Sequence, residues 1–210
     1  MRPDAIKDAP PQIILFDLGR VIVDWEPDRL YANLIPDAAE RDYFLNNICT
    51  LDWHKNHDRG VPFAQNAAPL IKKFPKYEAL IKAWHEAWRD MFDGYIRGMD
   101  VLLDRLRAKN IPLYALTNLP SWAWPLLQAD YTRLAHFKDV IVSGDEKCIK
   151  PDPEIYQITL SRMGHPDPSS VLFIDDTRAN ITAAKALGFC GHHFKSADML
   201  ETELIARKIL

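Results

Sequence analysis

The sequence predicts an α/β fold: a doubly wound parallel sheet with a helical segment inserted after its first strand. Short apolar runs recur along the 210-residue chain, each followed by a polar residue or glycine and, beyond it, by an amphipathic stretch. Compact apolar runs are typical of strands buried on both faces, and strands that alternate with helices favour a parallel sheet. The stretch from about residue 27 to residue 98 interrupts this alternation and predicts a separate helical unit.

Four segments are predicted as buried strands, and a fifth is expected near the C-terminus. They cover residues 13–16, 113–116, 140–142, 171–174 and 190–194. Helices are predicted between them. Met99, Leu102 and Leu106 recur on one helical face, Asp152 and Pro153 form a helix-start signal, and Gly188 is a stop signal.

The predicted organisation has two parts. Residues 1–26 and 97–210 are expected to form the core, and residues 27–96 the helical unit. The interrupted region holds no convincing strand pattern, and its helical stretches are ended by prolines such as Pro62 and Pro75.

Composition and charge exclude several classes of protein. With 48% hydrophobic and 26% charged residues and a net charge of -3, the chain has the balance of a soluble folded protein. We expect a monomer or dimer that has neither a nucleic-acid partner nor a membrane partner. The first twelve residues lack the apolar core of a secretory signal, which favours a cytoplasmic location. Three separated cysteines suggest neither a disulfide framework nor a zinc site.

Polar side chains follow the predicted strands. In a parallel sheet the carboxyl ends of the strands meet at one edge, where ligands bind. Taken alone, each of these residues has an ordinary role in capping a helix or closing a turn, but their combination predicts a catalytic site. They are Asp17, Thr117, Asn118, Lys150, Asp175 and Asp176.

This combination resembles the haloacid dehalogenase-like (HAD) hydrolase superfamily, over a span from Ile13 to Phe194. The resemblance implies a Rossmann-like core in which Asp17 is the nucleophile and Thr117 and Lys150 are further catalytic residues. The helical insert is similar in position to the C1 cap of subfamily I, and the segment FDLG resembles the first motif of some sugar-phosphate phosphatases. The implied function is hydrolysis of small phosphorylated metabolites, such as sugar phosphates, through an aspartyl-phosphate intermediate.

The resemblance also implies a Mg²⁺ cofactor. A carboxylate is repelled by a phosphate dianion, so a cation must offset charge on both before Asp17 can attack phosphorus. Asp17, Asp176 and the backbone carbonyl of Gly19 would supply the oxygen ligands that Mg²⁺ prefers. Asp175 is expected to be either an additional metal ligand or an acid just outside the coordination sphere.

Substrate contacts are expected at the rim of the sheet and in the insert. The backbone amide after Thr117 would donate a hydrogen bond to the transferring group. The densest polar and aromatic cluster of the insert spans residues 53–60. The candidate substrate-binding residues are Asn118, Arg20, His54 and His57.

Position 19 departs from the common phosphatase pattern. Phosphatases of this superfamily usually carry an aspartate two residues after the nucleophile, which protonates the leaving oxygen and later activates water. Gly19 has no side chain that can move a proton. Water, an acidic leaving group, or a cap residue such as His54, His57 or Asp58 is expected to substitute for the missing acid.

The missing acid keeps two other functions open. A 2-haloacid dehalogenase uses the same aspartate against carbon, expels a halide that needs no proton, and requires no metal. The family's dehalogenases lack an acid pair such as Asp175 and Asp176, which would be costly without a cation. A binding module that has lost catalysis is the third candidate, and the intact Asp17 and Lys150 argue against it. The sequence favours a phosphatase.

Overall fold

The computed structural model describes residues 10–210. The strands in this range are β1 (Ile13–Phe16), β2 (Val23–Trp25), β3 (Phe92–Tyr95), β4 (Leu113–Thr117), β5 (Asp139–Val142), β6 (Val171–Asp175) and β7 (Cys190–His193). Five of them form a sheet in the order β5-β4-β1-β6-β7. Each neighbouring pair in that sheet is parallel, which confirms the predicted fold class.

Helices separate the strands along the chain. They are α1 (Pro27–Leu34), α2 (Ala38–Asn47), α3 (Leu51–Asp58), α4 (Phe63–Lys73), α5 (Glu78–Glu86), α6 (Met99–Ala108), α7 (Trp124–Asp130), α8 (Ser143–Glu146), α9 (Pro153–Arg162), α10 (Arg178–Ala186) and α11 (Ala197–Ala206). The sequence signals lie at the ends they predict. Asp152 is the N-cap of α9 with Pro153 at its start, and Gly188, with a φ of +93°, follows the end of α10.

The central strand shows why the strands appear as continuous apolar runs. Ile14 and Phe16 pack in one core cluster, whereas Leu15 packs in a second one. Successive side chains of a strand point to opposite faces. Both faces of β1 are therefore covered, and no polar position interrupts the run.

The strand order places a crevice at the end of β1. The chain runs outward from β1 to β4 and β5, and then returns to the other side of β1 for β6 and β7. Ligands bind at such a reversal, beyond the carboxyl ends of the strands. Asp17 is the first residue after β1, and its backbone N–H donates to the carbonyl of Ile174 in β6 at 2.8 Å.

The insert contains a strand that the sequence analysis missed. β3 pairs antiparallel with β2, and Val23 lies opposite Tyr95. The expectation of no strand between residues 27 and 98 is therefore wrong. β3 is short, incompletely buried and contains Gly94 with a φ of +76°, so its sequence carries little strand signal. The β2-β3 ribbon joins the two ends of the segment that contains α1 to α5.

Within residues 10–210, no helix has the length and apolar character needed to cross a bilayer. Residues 1–9 lie outside the described residues, and they hold most of the N-terminal stretch that lacks a signal-like apolar core, together with the first part of the predicted core.

Candidate active site

Asp17 lies at the floor of the crevice and is only 8% exposed. Its Oδ1 accepts a hydrogen bond from the backbone N–H of Leu18 at 2.7 Å and lies 2.8 Å from Nζ of Lys150. Its Oδ2 has no hydrogen bond to any of residues 10–210. One oxygen of the carboxylate is therefore held, while the other is available to attack a substrate or bind a cation.

Lys150 is a buried lysine between two carboxylates. Besides Asp17, its Nζ contacts Oδ2 of Asp175 at 2.8 Å and donates to the carbonyl of Leu116 at 2.9 Å. The side chain of Asn118 holds the backbone of Lys150, accepting from its N–H at 2.8 Å and donating to its carbonyl at 3.0 Å. The side chain of Asn118 thus positions the backbone of Lys150.

Asp175 ends β6 and is completely buried. In addition to Lys150, it accepts from the side chain of Asn180, at 3.1 Å to Oδ1 and 3.0 Å to Oδ2, and from the backbone N–H of Thr177 at 2.7 Å. Both oxygens are already engaged. These contacts favour Asp175 as an acid outside the coordination sphere over Asp175 as a metal ligand.

Asp176 is half-buried, and its side chain has fewer partners. Thr177 donates its hydroxyl to Oδ1 at 3.3 Å, and the backbone carbonyl of Asp176 lies 2.8 Å from Nε2 of His193. His193 belongs to β7, so the edge strand holds the backbone of the loop. The carboxylate of Asp176 is left accessible at the crevice.

The site carries more negative charge than Lys150 can balance. Burial, followed by the neighbouring Asp175 and Asp176, raises the pKa of Asp17 to about 8 against the opposing effect of Lys150. Burial and Asp175 also raise the pKa of Asp176. Burial alone would lower the pKa of Lys150, but the two carboxylates in contact with it raise that pKa.

This donor set fits the Mg²⁺ ion that the motifs imply. One carboxylate oxygen from each of Asp17, Asp175 and Asp176 lies within 4.8 Å of the others. Hard oxygen ligands are those that Mg²⁺ prefers, and one or two carboxylates commonly hold it. Asp17 and Asp176 have the free oxygens to hold it, and Gly19 is close enough to line the same cavity.

A cavity of about 210 Å³ opens over these residues. Its core side includes Asp17, Gly19, Thr117, Lys150 and Asp176, and its opposite wall includes His54 and Asp58 of α3. Thr117 is the last residue of β4 and is 3% exposed. The strand ends therefore bring the predicted core residues together.

Two of the predicted substrate-binding residues have other partners. Arg20 borders the cavity, but it forms an ion pair with Glu26 at 2.9 Å and its guanidinium lies over the ring of Trp25. His57 is not among the residues that line the cavity. Its ring packs against Phe63 and Trp53 inside the insert.

His54 and Asp58 form the polar part of the wall contributed by α3. Nδ1 of His54 accepts from the indole N–H of Trp84 at 3.1 Å, and its Nε2 lies 3.4 Å from Oδ1 of Asp58. Burial lowers the pKa of His54 to about 4, so its ring is neutral at physiological pH.

Sequence reasoning missed the roles of Asn180 and His193. Asn180 follows the acid pair in the first turn of the next helix, and that spacing was the available signal. No sequence signal pointed to His193, because its contact with Asp176 depends on how β7 pairs with β6.

Proteins similar to this chain include several named phosphatases. The phosphorylated carbohydrates phosphatase of Thermotoga maritima is 27% identical, over 84% of this chain and 82% of that protein. The phosphoglycolate phosphatase of Shigella flexneri is 39% identical, over 83% of this chain and 77% of that protein. Flavin mononucleotide hydrolase 1 of Arabidopsis thaliana is 32% identical over 53% of this chain, and the match spans 44% of that protein.

Solved structures share the fold. A HAD family enzyme of Bacteroides thetaiotaomicron, in complex with magnesium and inorganic phosphate, aligns with a TM-score of 0.69 at 22% identity, over 89% of this chain and 96% of that one. The L-2-haloacid dehalogenase of Xanthobacter autotrophicus aligns with a TM-score of 0.66 at 17% identity, over 95% and 84%. A family model for haloacid dehalogenase-like hydrolases matches residues 11–188. The chain belongs to the haloacid dehalogenase-like hydrolase family.

Proposed function

We propose that this chain is a Mg²⁺-dependent phosphatase of small phosphomonoesters that forms an aspartyl-phosphate on Asp17. The observation that carries the proposal is the cluster of three carboxylates at the ends of β1 and β6, with Asp17 held by Lys150 at 2.8 Å. Such a cluster is costly unless a cation joins it, and phosphoryl transfer is chemistry that uses a cation.

Asp17 attacks the phosphorus atom through its carboxylate, and the bond to the leaving oxygen breaks. Lys150 orients the attacking group, because its ammonium holds Oδ1 while Oδ2 remains free. Thr117 and the backbone amide of Asn118 donate hydrogen bonds to the phosphoryl oxygens as charge develops on them. Water then cleaves the aspartyl-phosphate and releases inorganic phosphate.

Asp17, Asp176 and the carbonyl of Gly19 would hold the Mg²⁺ ion. When bound, the ion supplies positive charge that offsets the repulsion between Asp17 and a phosphate dianion. Asp175 acts through Lys150 and stays outside the coordination sphere, in accordance with its filled hydrogen bonds.

The substrate class follows from the cavity and from the relatives. The named phosphatases act on phosphorylated carbohydrates and on phosphoglycolate. The cavity combines the phosphate-facing floor with polar groups of α3, which suits a small hydroxylated leaving group. We propose a sugar phosphate or a similar small monoester as substrate.

We further propose that residues 27–96 act as a C1 cap and residues 1–26 and 97–210 as the catalytic core. A phosphorylated metabolite requires neither a nucleic acid nor a membrane as partner. The proposed location is the cytoplasm, and the proposed assembly is a monomer or dimer.

A 2-haloacid dehalogenase is the second candidate, because such an enzyme shares the fold. Two assays separate the candidates: release of nitrophenol from p-nitrophenyl phosphate with and without Mg²⁺, and release of chloride from 2-chloropropionate. We expect nitrophenol release that stops after chelation with EDTA and returns with Mg²⁺. Chloride release that survives EDTA would establish the dehalogenase. Inactivity in both assays would indicate a binding module.

A further inference from the structure

The proposed phosphatase reaction still needs a group that protonates the leaving oxygen. When Asp17 attacks phosphorus, the leaving oxygen departs with a negative charge and needs a proton unless the leaving group is itself acidic. Gly19 cannot supply that proton. Its backbone does not require glycine, since its φ is not positive and a Cβ at position 19 would meet no atom within 4 Å among the described residues. The absence of an acid there is not forced by the turn.

Asp58 is an acid at the cavity whose carboxyl group lies 3.4 Å from Nε2 of His54 but forms no hydrogen bond with residues 10–210. It is the last residue of α3, is 5% exposed and lines the cavity that contains Asp17. Its Oδ1 is buried and accepts no hydrogen bond from residues 10–210. Buried carboxylates are normally hydrogen-bonded, so an unsatisfied one calls for an explanation.

The backbone of Asp58 is fixed to the core. Its carbonyl accepts a hydrogen bond from the hydroxyl of Ser143 at 2.7 Å, and that hydroxyl also accepts from the backbone N–H of Leu119 at 2.9 Å. Ser143 starts α8 and is fully buried. Gly60 lies so close that a Cβ there would come within 2.6 Å of the carbonyl of Gly144. The end of α3 is thereby held beside the catalytic core.

The surroundings of Asp58 keep a proton on it near neutral pH. Burial raises its pKa to about 7, although the positive charges of Lys150, Arg59 and Lys55 act in the opposite direction. His54 faces it at 3.4 Å as a neutral ring. An acid with a pKa near the working pH can both give and take a proton.

We propose that Asp58 is a further catalytic residue, which does the proton transfer that Gly19 cannot do. The inference rests on the proposed phosphatase function. In the first step Asp17 forms the bond to phosphorus, the bond to the leaving oxygen breaks, and the carboxyl of Asp58 gives its proton to that oxygen. In the second step water attacks phosphorus and gives a proton to the Asp58 carboxylate. The bond to Asp17 then breaks, and both residues return to their initial states.

His54 and His57 are the competing candidates, and their positions argue against them. Nδ1 of His54 is occupied by the indole N–H of Trp84, and the low pKa of the ring leaves it without a readily transferred proton. His57 does not line the cavity. His54 is instead placed to orient Asp58.

The test is a series of phosphomonoesters with leaving groups of graded acidity, from p-nitrophenyl phosphate to simple alkyl phosphates, with Mg²⁺ present. The wild-type chain should show kcat/KM values that depend weakly on leaving-group acidity. Asp58→Asn should lose about 10²–10⁴-fold in kcat/KM for alkyl phosphates but little for p-nitrophenyl phosphate. With p-nitrophenyl phosphate its kcat should fall and a burst of nitrophenol should appear, because the intermediate then lacks its base.

Two further variants sharpen the test. Asp52→Asn makes the same chemical change at an exposed position of α3 and should leave the whole series unchanged. Adding Gly19→Asp to the Asp58→Asn chain should restore alkyl phosphate hydrolysis, because position 19 has room for the side chain.

A steep dependence on leaving-group acidity in the wild-type chain would overturn the inference, and that measurement requires no variant to fold. The inference would also fail if Asp58→Asn lowered kcat/KM equally for all esters, since a purely structural role would do so. If the wild-type chain hydrolysed no phosphomonoester, the proposed function itself would fail and this inference with it.

Discussion

Replacing Lys150 with methionine tests whether the buried ammonium group holds the site together. Methionine keeps the length and the apolar stem of the side chain but removes its charge and its donors. In the native chain the ammonium lies 2.8 Å from Asp17, 2.8 Å from Asp175 and 2.9 Å from the carbonyl of Leu116. The substitution leaves two buried carboxyl groups, those of Asp17 and Asp175, without the ammonium that contacts them.

The expected loss of stability follows from that burial. Removing one partner of a buried ion pair costs about 3–5 kcal/mol, because the remaining charge stays desolvated. Asp17, with a pKa of about 8, is already largely protonated at pH 7, so the cost falls mainly on the contact with Asp175. We therefore expect a loss near the lower end, about 3 kcal/mol, in the free energy of unfolding at pH 7. For a chain of this size that corresponds to a fall of roughly 6–12 °C in Tm.

The assay is urea unfolding of both proteins in EDTA, followed by the same measurement in excess Mg²⁺. Mg²⁺ should reduce the difference in unfolding free energy between the two proteins, because it brings positive charge to the same carboxyl groups. Lys72→Met, on the exposed side of α4, is the matched control and should change the free energy of unfolding by less than about 0.5 kcal/mol.

A Lys150→Met chain within about 1 kcal/mol of the wild type in EDTA would refute the reasoning. It would mean that Lys150 balances no buried charge on Asp175.

Three other predictions follow from the same contacts. Asp17→Asn should abolish phosphate release in a purified chain whose circular dichroism stays native, and turnover above background would exclude Asp17 as nucleophile. Burial raises the pKa of Asp58 from its ordinary value of 3.8 to about 7, so its contribution to stability is lost as pH rises from about 4 to 7. The free energy of unfolding of Asp58→Asn, measured in urea relative to that of the wild type, should therefore rise by about 1.4 kcal/mol per pH unit between about pH 4 and 7. A difference that stays constant over this range would contradict the raised pKa. His54 titrates in both proteins and cancels. Ser143→Ala leaves two buried backbone groups unpaired, at Asp58 and Leu119, and should cost about 1–3 kcal/mol in unfolding free energy, whereas no loss would show that this contact is dispensable.

Much of the core could be predicted because its signals are local. An apolar run of four or five residues followed by an acid predicts a strand and the residue at its carboxyl end, as in β1 and Asp17. An apolar run closed by a polar residue likewise predicts Thr117 at the end of β4 and Asp175 at the end of β6. Parallel pairing then brings these ends to one edge of the sheet, whatever the strand order.

The insert was less predictable, because its structure depends on contacts between distant parts of the chain. β3 forms only because β2 offers it a partner, and the half-buried, glycine-containing segment carries little preference of its own. Of the polar residues on α3, the sequence could not distinguish His57, which packs inside the insert, from Asp58, which lines the cavity.

The fold class and the identity of the groups at the strand ends were predictable from the sequence alone, because periodicity and turn chemistry act over a few residues. The contacts among those groups became known only from the folded chain. There Lys150 contacts both Asp17 and Asp175, Asn180 donates to the oxygens of Asp175, and Oδ1 of Asp58 has no hydrogen bond from residues 10–210. The physical reason is that a hydrogen bond or an ion pair depends on the position and burial of both partners, and those are set by packing between segments far apart in the chain.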